Sequence, residues 1–156
     1  MYDSRVNHLL LVVAQTANLL VNGSFTDGMT GWSEFSTGGT NASYLPIPGG
    51  VAIDVTPQSG SNSYDAQLRQ YPKFDFKKGE TLRLAFRARA ASANRIEAYM
   101  QEGTAPYSDF GRKAIALTPE FKEYVLAVKA SGDMAAGSYQ VGLQVNFDRE
   151  IGRAHV

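Results

Sequence analysis

An all-β fold, a two-sheet antiparallel β-sandwich of jelly-roll type, is what this sequence predicts, and three observations predict it. Short segments with apolar residues at every second position recur along the chain, the spacing that gathers one set of side chains on one face of a strand. Turn clusters rich in Gly, Pro, Asn and Ser separate those segments at roughly the 8–12-residue spacing of sandwiches. No segment carries the apolar spacing of an amphipathic helix. Fifteen Gly, eight Tyr and eight Phe among 156 residues suit such a protein, and the length suits one domain with a single core.

In chain order, Leu19-Leu20-Val21 reads as a first strand and Asn22-Gly23 as its turn. Phe25 re-enters the core, and Asp27-Gly28 and Gly31 bend the chain to present Trp32, the one tryptophan. Residues 36–43 read as a Gly/Thr/Ser/Asn loop, and Pro46, Pro48, Gly49 and Gly50 as a further turn. Val51 to Val55 is a strand, followed by a polar loop over Pro57 to Ser63. Tyr64 to Tyr71 is the next strand, with Ala66 and Leu68 inward and Asp65, Gln67 and Arg69 outward. Lys77-Lys78-Gly79-Glu80 turns into Thr81 to Ala90, where Leu82, Leu84, Phe86 and Ala88 share one face against Arg83 and Arg87. In Arg95 to Gln101, Ile96, Ala98 and Met100 oppose Arg95, Glu97, Tyr99 and Gln101. Lys113 to Leu117 and Tyr124 to Lys129 follow. In Ser138 to Phe147, Tyr139, Val141, Leu143 and Val145 face the core, leaving Gln140, Gly142 and Gln144 opposite. A sheet face rich in Gln, Arg, Glu and Tyr can donate and accept hydrogen bonds to hydroxyls and stack on the C–H faces of sugar rings.

Composition narrows the function classes. Fifteen basic and fifteen acidic residues cancel, which gives no sign of a nucleic-acid or anionic-membrane partner. With no cysteine there is no disulfide, thiolate metal site or cysteine nucleophile. The two histidines, His8 and His155, lie near the chain ends, which argues against a histidine base or a zinc site. At the N-terminus, Arg5 precedes the apolar run Leu9 to Ala14 and then Gln15-Thr16-Ala17, so residues 1–17 read as a signal peptide or leader. The last six residues, 151–156 (Ile-Gly-Arg-Ala-His-Val), are what a common sequencing adapter encodes. They read as an artefact after a domain spanning 18–150, in a natural protein that continues further.

The stretch Asn18 to Trp32, NLLVNGSFTDGMTGW, resembles the opening of carbohydrate-binding modules of the family 4/9/22 type, with their N-G-x-F turn and G-x-x-G-W. Tyr64 to Gln70 is similar to the strand that lines the sugar cleft there. Lys78 to Ala90 is similar to a K-G-x-x-Y-x-L-x-F-x-A-R-A signature, and Leu117 to Tyr124 to an L-T-x-x-W-x-x-Y stretch in which Phe121 replaces Trp. Gln140 to Phe147 resembles the late strand, but the closing strand that should follow is absent, so the likeness covers about 18–147 and lacks its final element. The resemblance implies the galactose-binding-like jelly roll and non-catalytic sugar binding. It places an aromatic at Tyr64 with a polar partner at Gln67, a second aromatic at Tyr107, and two polar residues at Gln140 and Gln144. Arg69, Glu97, Tyr99 and Gln101 join them as candidate floor residues. It also implies a core role for Trp32 and a structural calcium near Asp27, where Thr26 stands at the usual acidic position and the second ligand is missing; calcium wants six to eight oxygens.

Three functions compete. The first is binding of a β-linked plant polysaccharide, xylan or β-glucan, by a secreted protein that targets a covalently linked glycoside hydrolase. The second is a structural spacer of a larger extracellular protein, the same sandwich without a ligand. The third, a hydrolase using Glu97 and Glu102, requires two carboxylates about 5 or 6.5–9.5 Å apart. Exposure of Tyr64 and Tyr107 over one face separates the first from the second.

Overall fold

The computed structural model describes residues 7–13, 19–37, 40–56, 60–91 and 94–146. Ten strands are described: β1 (Asn7–Val13), β2 (Ser33–Ser36), β3 (Asn41–Ile47), β4 (Gly50–Thr56), β5 (Ala66–Gln70), β6 (Thr81–Ala90), β7 (Asn94–Glu102), β8 (Asp109–Leu117), β9 (Lys122–Lys129) and β10 (Tyr139–Gln144). They form two five-stranded sheets, ordered β3-β4-β1-β6-β9 and β2-β5-β10-β7-β8. All strand pairs are antiparallel. The fold is the all-β two-sheet sandwich that the alternation predicts. Among the described residues no helix is long and apolar enough to cross a membrane.

The core lies between the sheets and is built by period-two patterning. Val51, Ile53 and Val55 of β4 and Leu84, Phe86, Ala88 and Ala90 of β6 are buried from one side. Ala66 and Leu68 of β5, Ile96, Ala98 and Met100 of β7, and Val141 and Leu143 of β10 meet them from the other. Arg83, Arg87 and Arg89 alternate outward along β6, two of them resting on the Phe121 ring, with Cζ 5.1 and 4.7 Å from its centroid. Trp32 packs in the core against Phe25, ring centroids 5.0 Å apart, and its indole N–H donates to Asn22 O at 3.0 Å. Phe74 and Phe76 close one end over Tyr139, whose hydroxyl donates to Phe74 O at 3.0 Å.

Four elements differ from expectation. No strand forms at Leu19–Val21; the side chain of Gln70 clamps that backbone instead, accepting from Val21 N at 2.7 Å and donating to Val21 O at 2.9 Å. A side-chain amide reproduces the donor–acceptor pair of a neighbouring strand, so the segment is held without joining a ladder. Residues 36–43, expected as loop, include the end of β2 and the start of β3, which are short or polar edge strands with little apolar signal. Tyr64 stands outside β5, in a 3₁₀ turn over Ser63–Asp65 whose carboxylate accepts from Asn62 N at 2.7 Å. The stretch read as the apolar part of a leader overlaps β1, which lies between β4 and β6. Register sets Leu9 opposite Ile53 and Ala90, and Leu11 opposite Val51 and Ala88, so an extended apolar segment satisfies two strand edges at once. Residues 1–6 and 14–17 of the expected leader, Phe147 and the expected adapter residues 151–156 lie outside the described residues.

Candidate functional site

The outward face of the second sheet assembles side chains from every one of its strands, and strand register sets them in rows. One row runs Phe35, Gln67, Gln144, Glu97, Ala114; the next runs Ser33, Arg69, Gly142, Tyr99, Arg112; a third contains Gln140, Gln101 and Asp109. Seven of the nine sequence-predicted residues (Gln67, Arg69, Glu97, Tyr99, Gln101, Gln140 and Gln144) thus share one face. The other two flank it. Tyr64 precedes β5 at the Gln144 end, where Ser63 Oγ donates to Gln144 Oε1 at 3.1 Å. Tyr107 sits in the loop between β7 and β8 at the opposite end, its backbone in the left-handed region at φ 57. Their exposures are 49% and 51%. The intervening β10 spans five residue steps from Gln144 to Tyr139, roughly 17 Å.

Alternation alone missed how enclosed the amides are. Gln67, Gln101, Gln140 and Gln144 point away from the core yet are buried, and they lie on the middle strand β10 and its two neighbours β5 and β7. The Tyr99 hydroxyl links two of them, 2.7 Å from Gln67 Oε1 and 2.9 Å from Gln140 Oε1. A hydroxyl has one proton to donate. Gln67 fixes its orientation by donating Nε2 to Tyr64 O at 2.7 Å, so it receives that proton. Gln140 holds its other partner, Glu102 O, only at 3.4 Å, and it is the amide free to turn and donate to the hydroxyl oxygen. Burial pushes the Tyr99 phenol above its ordinary pKa of 10.0, against the opposing charges of Arg69 and Arg112.

The two guanidinium groups of this face differ. Arg112, absent from the sequence-based set, bonds Asp109 at 2.7 Å through Nη2 and at 3.3 Å through Nε, Gln101 Oε1 at 3.0 Å, and pairs with Glu97 at 3.5 Å. Burial works against its charge, but the hydrogen bond and charge of Asp109, with Glu97, raise its pKa above the ordinary value. Arg69 lies over the rings of Phe35 and Tyr71, Cζ 4.6 and 5.8 Å from their centroids, and among the described residues its one hydrogen bond is to Gln67 Oε1, at 3.4 Å. Its buried Nε has no partner. Phe35, Tyr71 and Arg112 belong to the face and were not anticipated; Phe35 and Arg112 lie just outside the segments read as strands, where alternation assigns no side.

The chain superposes on a module described as CBM4, TM-score 0.72 and 17% identity, over 82% of this chain and 89% of that one. It also superposes on the N-terminal cellulose-binding domain of Cellulomonas fimi β-1,4-glucanase C, TM-score 0.57 and 21% identity, over 82% and 84%. BiXyn10A CBM1 in its apo form matches at 0.50 and 14%, over 72% and 88%. The fold is that of a carbohydrate-binding module. No family model matches the sequence, and no curated protein does.

Two expectations meet less support. Among the described residues no group of three or more His, Cys, Asp or Glu comes together. Around Asp27 the carbonyls of Asp27, Gly28 and Thr30 converge on Asn22 Nδ2, at 3.3, 2.9 and 3.0 Å. An amide N–H₂ already occupies the cradle that a calcium ion would need, so this donor set does not fit calcium. For the hydrolase reading, Glu97 and Glu102 stand five positions apart on β7, roughly 17 Å along a strand. That exceeds the separation either glycosidase mechanism uses, and Glu97 is held by Arg112.

Proposed function

We propose that this chain binds a β-linked plant polysaccharide, xylan or β-glucan, without catalysis, and works outside the cell by targeting a covalently linked glycoside hydrolase. One observation carries the reading: Tyr64 and Tyr107, each half-exposed, bracket a single sheet face of amides and guanidinium groups on a carbohydrate-binding-module fold. The two rings offer stacking platforms at the ends of the face, with the polar floor between them available to hydroxyls. An open face buries little ligand, so affinity should be roughly micromolar to millimolar, and attachment to an enzyme raises its local concentration at the polymer.

A spacer without ligand is the second reading, and a specific observation favours it: most polar groups of the face are already bonded to one another. Native gels containing xylan, β-glucan, mannan or no polymer separate the two. Retardation in one polymer gel, lost in Gln144→Ala and Tyr64→Ala, supports the sugar face. A folded protein that migrates identically in every gel makes the chain a spacer.

A further inference from the structure

Among the described residues Arg69 is a cation without an anion, on a face whose other cation, Arg112, is paired with two carboxylates. Arg112 has Asp109 and Glu97, and its side chain is bonded on several sides. Among the described residues Arg69 has no carboxylate within ion-pair distance; its contacts there are two rings and one long bond to Gln67, and its charge acts on the Tyr99 phenol. Its Nε is buried and unbonded, and Nη2 makes no hydrogen bond among the described residues. Its cross-strand neighbour on β10 is Gly142, which has no side chain to cover it, and the partner across Gly142 is Tyr99. A guanidinium flattened on aromatic rings keeps its charge and its forked donors directed away from those rings. Partial burial strengthens what that charge does to an incoming group. Neutral sugar hydroxyls can accept from it but cannot neutralise it. A carboxylate does both, through charge-assisted hydrogen bonds of fork geometry.

We infer that this face selects glycans bearing a carboxylate, a uronic acid in or on the β-linked chain, and that Arg69 reads the acid. The inference rests on the sugar-face reading and deepens it. The test uses glucuronate-substituted xylan and the same polymer after chemical reduction of its carboxyls, with binding measured by calorimetry at low and high salt. The wild-type protein should hold the acidic polymer about tenfold more tightly than the reduced one, and the ratio should fall as salt screens the pair. Arg69→Gln should weaken binding to both polymers but bring the ratio near one, and Arg69→Lys, which keeps the charge and loses the fork, should leave an intermediate ratio. Equal wild-type affinity for the two polymers, or a ratio that Arg69→Gln leaves unchanged, overturns the acid selectivity while the sugar face stands. Failure of folded wild-type protein to bind either polymer, or neutral β-glucan, overturns both.

Discussion

Arg69 and Arg112 stand on one sheet face with Tyr99 between them, and their neighbours treat them oppositely. On the β7–β8 side, charge is met by charge: Arg112, Asp109 and Glu97 form a compact network closed by Gln101. On the β2–β5 side, charge is met by aromatic surface, and Arg69 rests on Phe35 and Tyr71. The first arrangement is self-sufficient and rigidifies the sheet. The second leaves donors and charge to be used by something that arrives. Tyr99 joins the halves by bridging Gln67 on one side and Gln140 on the other. The difference teaches that residue type is a poor guide to availability; the partners decide which polar group is structure and which is open to a ligand.

The most severe way to break the comparison is to separate the halves at Gly142. A Cβ there would meet Leu68 O at 2.2 Å and Arg69 Cα at 2.8 Å, both backbone atoms that cannot step aside. Gly142→Ala should cost about 3 kcal/mol or more through overpacking, read as a drop in thermal midpoint. Tyr99→Phe is milder. It strands two buried amide groups and should cost about 1–3 kcal/mol, measured by urea unfolding.

Alkaline titration sharpens the same point. Burial holds the Tyr99 phenol above 10.0 and pushes Tyr139 up to about 12. Both stay protonated in the folded chain after they ionise in the unfolded one. Stability is therefore whole below about pH 10 and falls as pH rises from there toward 12. Thermal midpoints across that range should decline less steeply in Tyr99→Phe and in Tyr139→Phe than in wild type. The smallest effect belongs to the compensated half. Asp109 is half-exposed, so Asp109→Asn should change stability by at most about 1 kcal/mol, a change that added salt diminishes.

How much was legible follows from which side chains speak through alternation. β6 and β7 carry a strict period of two, and their inward and outward sets are those the structure shows. The same rule turns Gln67, Arg69, Glu97, Tyr99, Gln101, Gln140 and Gln144 away from the core on their own strands, and the sheet order gathers them on one face. It had nothing to say about β2 and β3, where short edge strands need no apolar pattern, and Phe35 was missed with them. Arg112 was missed for a related reason: β8 begins at Asp109, four residues earlier than its apolar alternation does. The Leu19–Val21 segment looked like a strand because it is apolar, and it is held as one by Gln70 without lying in a sheet.

The sequence by itself determined the class of fold, the sides of the long strands and the kind of chemistry on the exposed face, because side-chain period and turn chemistry are local properties of the chain. Tertiary structure alone decided that β1 lies between β4 and β6, that the face amides are enclosed, and that Arg112 is compensated while Arg69 is not. Those outcomes depend on which strands become neighbours. Pairing joins residues dozens of positions apart, and no local pattern records the partner a side chain will meet.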